Sequence, residues 1–187
     1  EAYMAGEIES NNLASLIELG SLHSELLSKD LNHSLLKQAL SKIIHFANRN
    51  SKSGSRKNIA YHYDLGNNFY KKWLDPSMTY SSAIFASEEQ GLTEAQQNKY
   101  RKIAELADLK AGDSVLEIGC GWGGFMEFAA KNLNAHVTGI TISNEQYEFA
   151  RKRMQKQGLS DKTELKLLDY RDLNQKFDKI ISIEMFE

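Results

Sequence analysis

Residues 115–124 carry the pattern with the clearest chemical meaning in this chain, and they read VLEIGCGWGG. An apolar run that contains the acidic residue Glu117 is followed by four glycines within six positions, 119–124. Glycine lets the backbone approach a ligand closely and adopt positive φ, and a helix that begins after such a turn points free N–H groups into the same space. The order of strand, glycine turn and helix therefore predicts a cofactor site that holds a nucleotide.

Two cofactors match this pattern to different degrees. Glycines at 119, 121 and 124 satisfy G-x-G-x-x-G, the fingerprint of dinucleotide sites, which carries an acidic residue about 20 positions later to hold the ribose. Here the second apolar run, 136–143, ends in hydroxyl residues, and the next carboxylate, Glu145, falls within the start of a helix. The pattern E-x-G-x-G-x-G is instead similar to that of class I S-adenosylmethionine (SAM) methyltransferases. The sequence thus favours SAM over NAD, and a purely structural turn would need fewer glycines.

The composition is typical of a soluble globular protein, with 41% hydrophobic and 26% charged residues. No apolar run approaches the roughly 20 residues of a membrane span. The single cysteine, Cys120, excludes an internal disulfide and a cysteine-rich metal site, so no metal is predicted, and it fits a reducing cytosol. The net charge of −2 provides no overall attraction to nucleic acid, and we predict no nucleic-acid partner.

Strand and helix patterns alternate from Gly112 onward, which predicts an α/β fold with a Rossmann-like doubly wound parallel sheet. Ligands of such folds bind at the carboxyl ends of the strands. Ahead of the sheet, a helix is predicted over 93–109, with Thr93 as its N-cap and Gln96 at the capping-box position. After the first strand and the glycine turn, the predicted elements are a helix at 123–133, a strand at 135–142, a helix at 144–157, and strands at 164–168 and 179–183.

The chain resembles the cyclopropane-fatty-acyl-phospholipid synthase family, which includes the mycolic acid cyclopropane synthases. The glycine motif alone indicates only a SAM enzyme, whereas the block at 62–85 is far more specific and carries the family assignment. The motifs are HYDLGNNFYKKWLDPSMTYSSAIF (62–85), VLEIGCGWGG (115–124), VTGITISNEQ (137–146), LLDYRDL (167–173) and FDKIISIEMFE (177–187).

The resemblance implies three regions: a helical segment at 1–48 that is the tail of a small N-terminal domain, a basic linker at 49–57, and the N-terminal part of the methyltransferase domain at 58–187. The first residue is not Met, and the predicted sheet ends after its fourth strand, whereas class I methyltransferase sheets normally carry seven. We therefore expect the chain to be a fragment.

The resemblance also implies which residues contact SAM. Glu117 and the amides of 119–121 would meet its amino-acid end, and Gln146 would bond the ribose hydroxyls. Asp169 would accept from the adenine amino group while Tyr170 covers the ring face. The full predicted set is Tyr80, Ser81, Leu116, Glu117, Ile118, Gly119, Cys120, Gly121, Trp122, Gly123, Gly124, Thr141, Ile142, Ser143, Asn144, Glu145, Gln146, Asp169 and Tyr170.

The implied reaction transfers a methyl group to the cis double bond of an unsaturated acyl chain in a membrane phospholipid. The resulting carbocation loses a proton and closes a cyclopropane ring, so the protein must position the methyl group, exclude water and stabilise a cation. In this family the base is a bound bicarbonate, held partly by a glutamate that matches Glu187. Ser82 lies where relatives commonly have a cysteine that contributes to this anion site. Glu187 and Ser82 are thus the predicted catalytic residues, and the serine leaves methyl-branch or methylene products open.

Two other functions stay open: an enzyme of the same fold that methylates a small amine or phenol, and an inactive cofactor-binding fragment. A homodimer is a further option. The inferred substrate and a group of cations predict a cytoplasmic protein in peripheral contact with anionic bilayers, where each cation contributes about 1 kcal/mol. The alternative is a merely solvated linker. The cations are Arg49, Lys52, Arg56, Lys57, Lys71 and Lys72.

Overall fold

A computed structural model describes residues 5–23 and 66–185 of the chain. The chain divides into two compact units, Glu1–Ser51 and Lys52–Glu187. In the first unit, helix α1 spans Leu13–Leu22 and lies within the predicted helical segment. Residues 1–4 and 24–48 of that segment and the whole basic linker lie outside the described residues.

The second unit is built around a parallel sheet of four strands in the order β3-β2-β1-β4. The predicted Rossmann-like α/β fold is thereby confirmed. The chain moves outward from β1 to β2 and β3 and then returns to the other side of β1, so the order reverses between β1 and β4. The elements are α2 (Asn67–Tyr70), α3 (Leu92–Leu106), β1 (Ser114–Ile118), α4 (Gly124–Asn132), β2 (His136–Thr141), α5 (Asn144–Lys156), β3 (Thr163–Leu167), a 3₁₀ turn (Tyr170–Asp172) and β4 (Lys179–Ser182).

The core lies where α3 and α4 pack against the two central strands. Val115 of β1 pairs with Val137 of β2, and both are buried. Phe125 and Met126 in the first turn of α4 are buried against them, and the ring of Tyr100 from α3 meets Phe125 edge-on at 5.7 Å. Burial on both faces explains why β1 and β2 read as nearly continuous apolar runs.

The start of α3 differs from the prediction. The helix begins at Leu92 after Gly91, which makes no side-chain capping bond, so Thr93 is not the N-cap. Gln96 is not part of a capping box, because its buried amide donates instead to the carbonyl oxygen of Ser81 at 2.8 Å. Gln96 therefore bonds a carbonyl oxygen 15 positions away in the sequence and not the local backbone N–H at the start of the helix. At α5 the N-cap is Ser143, whose Oγ accepts from the amide of Gln146 at 3.3 Å.

Neither a membrane-spanning helix nor a metal site is found among the described residues. No helix in that part of the chain combines the length and apolar character needed to cross a bilayer. Within 5–23 and 66–185, no group of three or more His, Cys, Asp or Glu side chains is placed to hold a metal ion.

Candidate functional site

The glycine turn joins the carboxyl end of β1 to α4, and three of its glycines have positive φ. The values are 75° at Gly119, 54° at Gly121 and 82° at Gly123. A Cβ added at Gly121 would meet no atom within 4 Å, so the space in front of this residue is open. A Cβ at Gly124, by contrast, would lie 2.9 Å from Thr79 Oγ1 and would also clash with the hydroxyl of Tyr100. Gly121 therefore faces open space, whereas Gly124 permits close packing of α4.

Two amides of the turn are already engaged within the protein. The N–H groups of Gly119 and Cys120 both donate to the carbonyl oxygen of Ile140 at 3.0 Å, which holds the turn against β2. Within 119–121, the amide of Gly121 is therefore the remaining candidate for a cofactor contact. Cys120 is buried, and burial raises the pKa of its thiol well above the ordinary value. A protonated buried thiol is a poor nucleophile, so this cysteine is a packing residue of the turn.

Glu117 is the buried acid of the site, with 4% of its surface exposed. Its Oε2 has no hydrogen-bond partner among the described residues, while the amide of Met126 bonds the carboxylate. Burial raises the pKa of Glu117 to about 8, opposed by that amide and by the charges of Arg153 and Lys99. A buried carboxylate with a free oxygen is costly unless a cation or donor completes it. The ammonium group of an amino-acid cofactor has that chemistry, so Glu117 and the open turn fit SAM.

The end of β2 adds a fixed group of polar side chains. Thr141 Oγ1 donates to Gln146 Oε1 at 2.8 Å and accepts from the amide of Ser143 at 3.2 Å. These bonds orient the side-chain amide of Gln146, the predicted ribose ligand, from the first turn of α5. Glu145 also lies in that turn, where its carboxylate accepts from Ser143 Oγ at 3.2 Å. Ile142 is half-buried and Asn144 exposed.

The segment after β3 places Asp169 and Tyr170 at the same edge of the sheet. Asp169 is buried, and its carboxylate accepts from the amide of Arg171 at 3.0 Å and from its guanidinium at 2.6 and 2.8 Å. Tyr170 is half-exposed, with the Arg171 guanidinium 5.8 Å from its ring centroid. The structure thus gives Asp169 a partner within its own turn. Its contact with adenine stays a prediction.

The predicted contacts Tyr80 and Ser81 are supported by residues that the sequence analysis missed. Tyr80 is 55% exposed and packs against the rings of Tyr70 and Trp73 at 5.5 and 5.6 Å between centroids. Ser81 Oγ accepts from Lys99 Nζ at 2.5 Å, and Lys99 is almost fully buried. Burial lowers the pKa of Lys99 to about 8, despite the nearby charges of Glu184, Asp75 and Glu117.

Gln96 and Lys99 could have been found in the sequence by their position. They lie one turn apart on α3, between the buried residues Ala95, Tyr100 and Ala104, on the face that packs inward. A polar residue on an inward face requires a buried partner, and here both partners are groups of Ser81. The helix therefore acts as a support for the loop that carries Ser81.

Of the two predicted catalytic residues, Ser82 is described and Glu187 lies outside the described residues. The amide of Ser82 donates to Glu184 Oε1 at 3.0 Å, and its hydroxyl donates to the same oxygen at 2.5 Å. Glu184 follows β4 by two residues and was not among the predicted site residues. The site thus contains a carboxylate that the sequence analysis did not identify, bound to the serine that it did.

The family described as mycolic acid cyclopropane synthetase matches residues 50–187. The chain belongs to this family. The resemblance drawn from the motifs at 62–85 and 115–124 is therefore confirmed.

Individual members of the family are similar over the same region. A probable fatty acid methyltransferase of Pseudomonas putida is 49% identical over 131 residues, 69% of this chain and 33% of that protein. The cyclopropane-fatty-acyl-phospholipid synthase of Escherichia coli (strain K12) is 49% identical over 126 residues, 67% of this chain and 32% of that protein. The crystal structure of the mycolic acid cyclopropane synthase CmaA1 complexed with SAH and CTAB is 30% identical, with a TM-score of 0.66, and covers 68% of this chain and 45% of that one. The chain thus spans about a third of the length of the two curated relatives.

Proposed function

We propose that the protein containing this chain transfers a methyl group from SAM to the cis double bond of an unsaturated acyl chain in a membrane phospholipid, and that its product is a cyclopropane fatty acid. The observation that carries the proposal is the buried carboxylate of Glu117 near the end of β1, the strand that leads into the open glycine turn at Gly121, in a chain of this family. When bound, SAM supplies an electrophilic methyl group. The E. coli relative named as a cyclopropane-fatty-acyl-phospholipid synthase supports the substrate class.

The residues of this chain would hold the cofactor at the edge of the sheet where the strand order reverses. Glu117 would bind the ammonium group, Gly121 would let the backbone approach it, and Gln146 would bond the ribose. Tyr80 and Ser81 lie on the loop that Gln96 and Lys99 hold in place. A fixed methyl group and a dry site are what a weak alkene nucleophile requires. Substrate in a bilayer also implies peripheral membrane contact on the cytoplasmic side.

A second candidate product is a methylene- or methyl-branched lipid formed from the same cation. The P. putida relative is named a probable fatty acid methyltransferase. By the resemblance to the family, Ser82 occupies the position where a cysteine is common. The two candidates differ in which proton the cation loses. Loss of a proton from the transferred methyl group closes the ring. Loss of a proton from a chain carbon next to the cation gives a methyl-branched alkene, and loss from the methyl group after a hydride shift gives a methylene branch.

The test is to incubate the full-length protein with SAM and vesicles of monounsaturated phospholipid, and to analyse the acyl chains by mass spectrometry and proton NMR. The expected product has gained one CH₂ and shows cyclopropane ring protons and no olefinic ones. Olefinic methylene protons would support the second candidate. SAM turnover on small amines or phenols, with no change in the lipid, would refute the lipid assignment.

Glu187 is proposed as a further group needed for turnover. By resemblance it belongs beside the anion and not beside the nucleoside, so it should affect catalysis more than cofactor affinity. Glu187→Gln in the full-length protein is expected to lower kcat by about 10²-fold or more, the usual scale for a group that assists proton transfer. Affinity for S-adenosylhomocysteine, measured by calorimetry, should stay within a few-fold. An unchanged kcat would refute this role.

A further inference from the structure

Two neighbouring serines, Ser81 and Ser82, use their polar groups in opposite ways. Ser82 donates through its amide and its hydroxyl to Oε1 of Glu184, so both of its donors are engaged within the protein. Ser81 instead accepts: its carbonyl oxygen receives a bond from Gln96 Nε2 at 2.8 Å, and its Oγ receives one from Lys99 Nζ at 2.5 Å. The two serines therefore differ in what they can still offer to a ligand.

The polar groups that remain on Ser81 are donors. A hydroxyl has one O–H donor and two acceptor lone pairs, and an ammonium group only donates, so Lys99 occupies a lone pair of Oγ and leaves the O–H for another acceptor. Neither that O–H nor the amide N–H of Ser81 donates to an atom of residues 5–23 and 66–185. Ser81 is half-buried and not sealed off from solvent. Both donors are thus available to an acceptor that is brought to the loop.

Lys99 places a positive charge directly behind these donors. Its side chain is buried, and no carboxylate in the described part of the chain forms an ion pair with it. Burial lowers the pKa of Lys99 to about 8, so the ammonium group still carries its proton at pH 7. A buried cation is costly unless an anion compensates it. The loop therefore fits an anionic acceptor better than a neutral one.

Glu117 has the complementary requirement. Its buried carboxylate has an oxygen, Oε2, that no group of the described residues bonds, which calls for a cation or a donor. The charges of Glu117 and Lys99 each influence the pKa of the other, although the two do not form an ion pair. A ligand with a positive and a negative group on one carbon would satisfy both. The amino-acid end of SAM is such a zwitterion.

We propose that Ser81, supported by Lys99, binds the carboxylate of the cofactor's amino-acid end, while Glu117 binds the ammonium group of the same end. The inference rests on the proposed function, because it takes SAM as the cofactor. Lys99 and Gln96 are then positioning residues that act through Ser81. Lys99 polarises the hydroxyl so that its O–H donates more strongly, and Gln96 holds the carbonyl of the same residue. Serine donors alone would accept a neutral group as well, so the lysine charge is what selects a carboxylate.

The test measures which part of the cofactor each residue recognises. Calorimetry of the full-length protein compares three ligands: S-adenosylhomocysteine, its decarboxylated analogue, which keeps the amine, and 5′-methylthioadenosine, which lacks both the amine and the carboxylate. The variants are Lys99→Met, Ser81→Ala and Glu117→Gln. The matched control is Lys102→Met, which removes a well-exposed cation three positions further along the same helix.

The wild-type protein and Lys102→Met are expected to bind S-adenosylhomocysteine at least ten-fold more tightly than the decarboxylated analogue, because hydrogen bonds to a charged acceptor are strong. In Lys99→Met and Ser81→Ala this preference should fall to a few-fold or less. Their affinities for the two ligands without a carboxylate should stay close to wild type, which also shows that the variants fold. Glu117→Gln should weaken both ligands that carry the amine and leave 5′-methylthioadenosine unaffected.

An unchanged preference for the carboxylate in Lys99→Met and Ser81→Ala would overturn the proposal. Equal losses for all three ligands in Ser81→Ala would also overturn it, since they would indicate a purely structural role; this variant decides the matter if Lys99→Met does not fold. Wild-type binding of S-adenosylhomocysteine without a preference for the carboxylate would contradict only this inference, whereas no binding of S-adenosylhomocysteine would contradict the cofactor assignment and this inference with it. The expected preferences in a protein that forms no lipid product would support this inference and contradict the proposed substrate.

Discussion

The indole N–H of Trp122 donates a hydrogen bond to Oδ1 of Asn67 at 2.6 Å. This bond joins the glycine turn after β1 to the aromatic segment that precedes the Tyr80 loop. Around it, the ring of Tyr70 packs against Trp122 at 5.1 Å and against Tyr80 at 5.5 Å between centroids. The motif that indicates the cofactor and the motif that indicates the family are therefore one physical unit.

A double-mutant cycle tests this unit. Trp122→Phe keeps an aromatic ring but removes the donor, and Asn67→Ala removes the acceptor. Each change is expected to lower the free energy of unfolding by about 1–2 kcal/mol, because a part-buried polar group loses its partner. The double variant should lose less than the sum of the two, by about 0.5–1.5 kcal/mol, in urea denaturation of the full-length protein. If the loss in the double variant equals the sum of the two single losses, the hydrogen bond does not couple Trp122 to Asn67.

Substitution at the open glycine should abolish cofactor binding. Gly121→Val fills the space in front of the turn and places a β-branched residue at a φ of 54°. The matched control is Gly158→Val after α5, where φ is 67° and the added side chain also meets open space. Both variants should lose about 1–2 kcal/mol of stability from the backbone conformation.

The two glycine variants should differ in ligand binding. Calorimetry with S-adenosylhomocysteine is expected to give no signal for Gly121→Val and a near wild-type affinity for Gly158→Val. Equal affinities of the two variants for S-adenosylhomocysteine would mean that the glycine turn is not part of the cofactor site. Tight binding of NADH to the wild-type protein, with none of S-adenosylhomocysteine, would show that the cofactor assignment is wrong.

The glycine turn and the sheet could be predicted because their signals are local in sequence. The buried runs of β1 and β2 and the glycines at 119–124 sit within a few positions of one another, and the alternation of strands with helices predicts a parallel sheet. The bonds from Gln96 and Lys99 to Ser81 and from Ser82 to Glu184 could not be predicted in the same way. They join residues 15 to 102 positions apart, and which polar side chains meet depends on the packed fold.

Glu117 should make stability depend on pH. Its pKa is about 8 in the folded protein, against an ordinary value of 4.5. Between these values the folded state binds more protons than the unfolded state, so the free energy of unfolding falls as pH rises from about 4.5 to about 8. Glutamine does not titrate, so the free energy of unfolding of Glu117→Gln should match that of the wild type near pH 4.5 and exceed it near pH 8. Denaturation of both without cofactor at a series of pH values checks this, and parallel curves would contradict it.

Cofactor binding should then release the same proton. An ammonium group next to Glu117 favours the ionised carboxylate and lowers its pKa, so at pH 7 the wild-type protein is expected to lose up to one proton on binding S-adenosylhomocysteine. Calorimetry in buffers of different ionisation enthalpy measures this number. Glu117→Gln should bind more weakly and release none. Equal proton release by both proteins would place the ammonium group elsewhere.

Arg153 is expected to be needed for stability at the base of the site. Its guanidinium pairs with Glu127 of α4 and donates to the carbonyl of Ser77 at 2.6 Å, and both charged side chains are about 15% exposed. Arg153→Met would leave Glu127 charged and poorly solvated, at a cost of about 2–4 kcal/mol in the free energy of unfolding. Arg151→Met is the matched control on the same helix, because its partner Glu148 is 50% exposed, and its transition should stay close to wild type. Equal effects of the two changes would refute a special role for Arg153.

The cations ahead of the sheet are expected to attract the protein to anionic bilayers. Lys71 and Lys72 are exposed beside Trp73, which is 48% exposed, while the four linker cations lie outside the described residues. At about 1 kcal/mol each, the six charges would produce reversible binding that weakens with salt, because the attraction decays within about 8 Å at physiological ionic strength. The measurement is co-sedimentation of the full-length protein with neutral and anionic phospholipid vesicles at low and high salt.

Two sets of variants separate a docking surface from a solvated linker. The first replaces Arg49, Lys52, Arg56 and Lys57 by Gln, and its extension adds Lys71→Gln and Lys72→Gln. The control replaces Lys102 and Lys110, two cations with well-exposed side chains elsewhere in the second unit, by Gln. Loss of anionic-vesicle binding in the first set, a further loss in its extension, and little change in the control are expected, since only charges that face the bilayer within a Debye length contribute. Unchanged binding after all six replacements would mean that these cations face solvent and that the enzyme reaches its lipid by another surface.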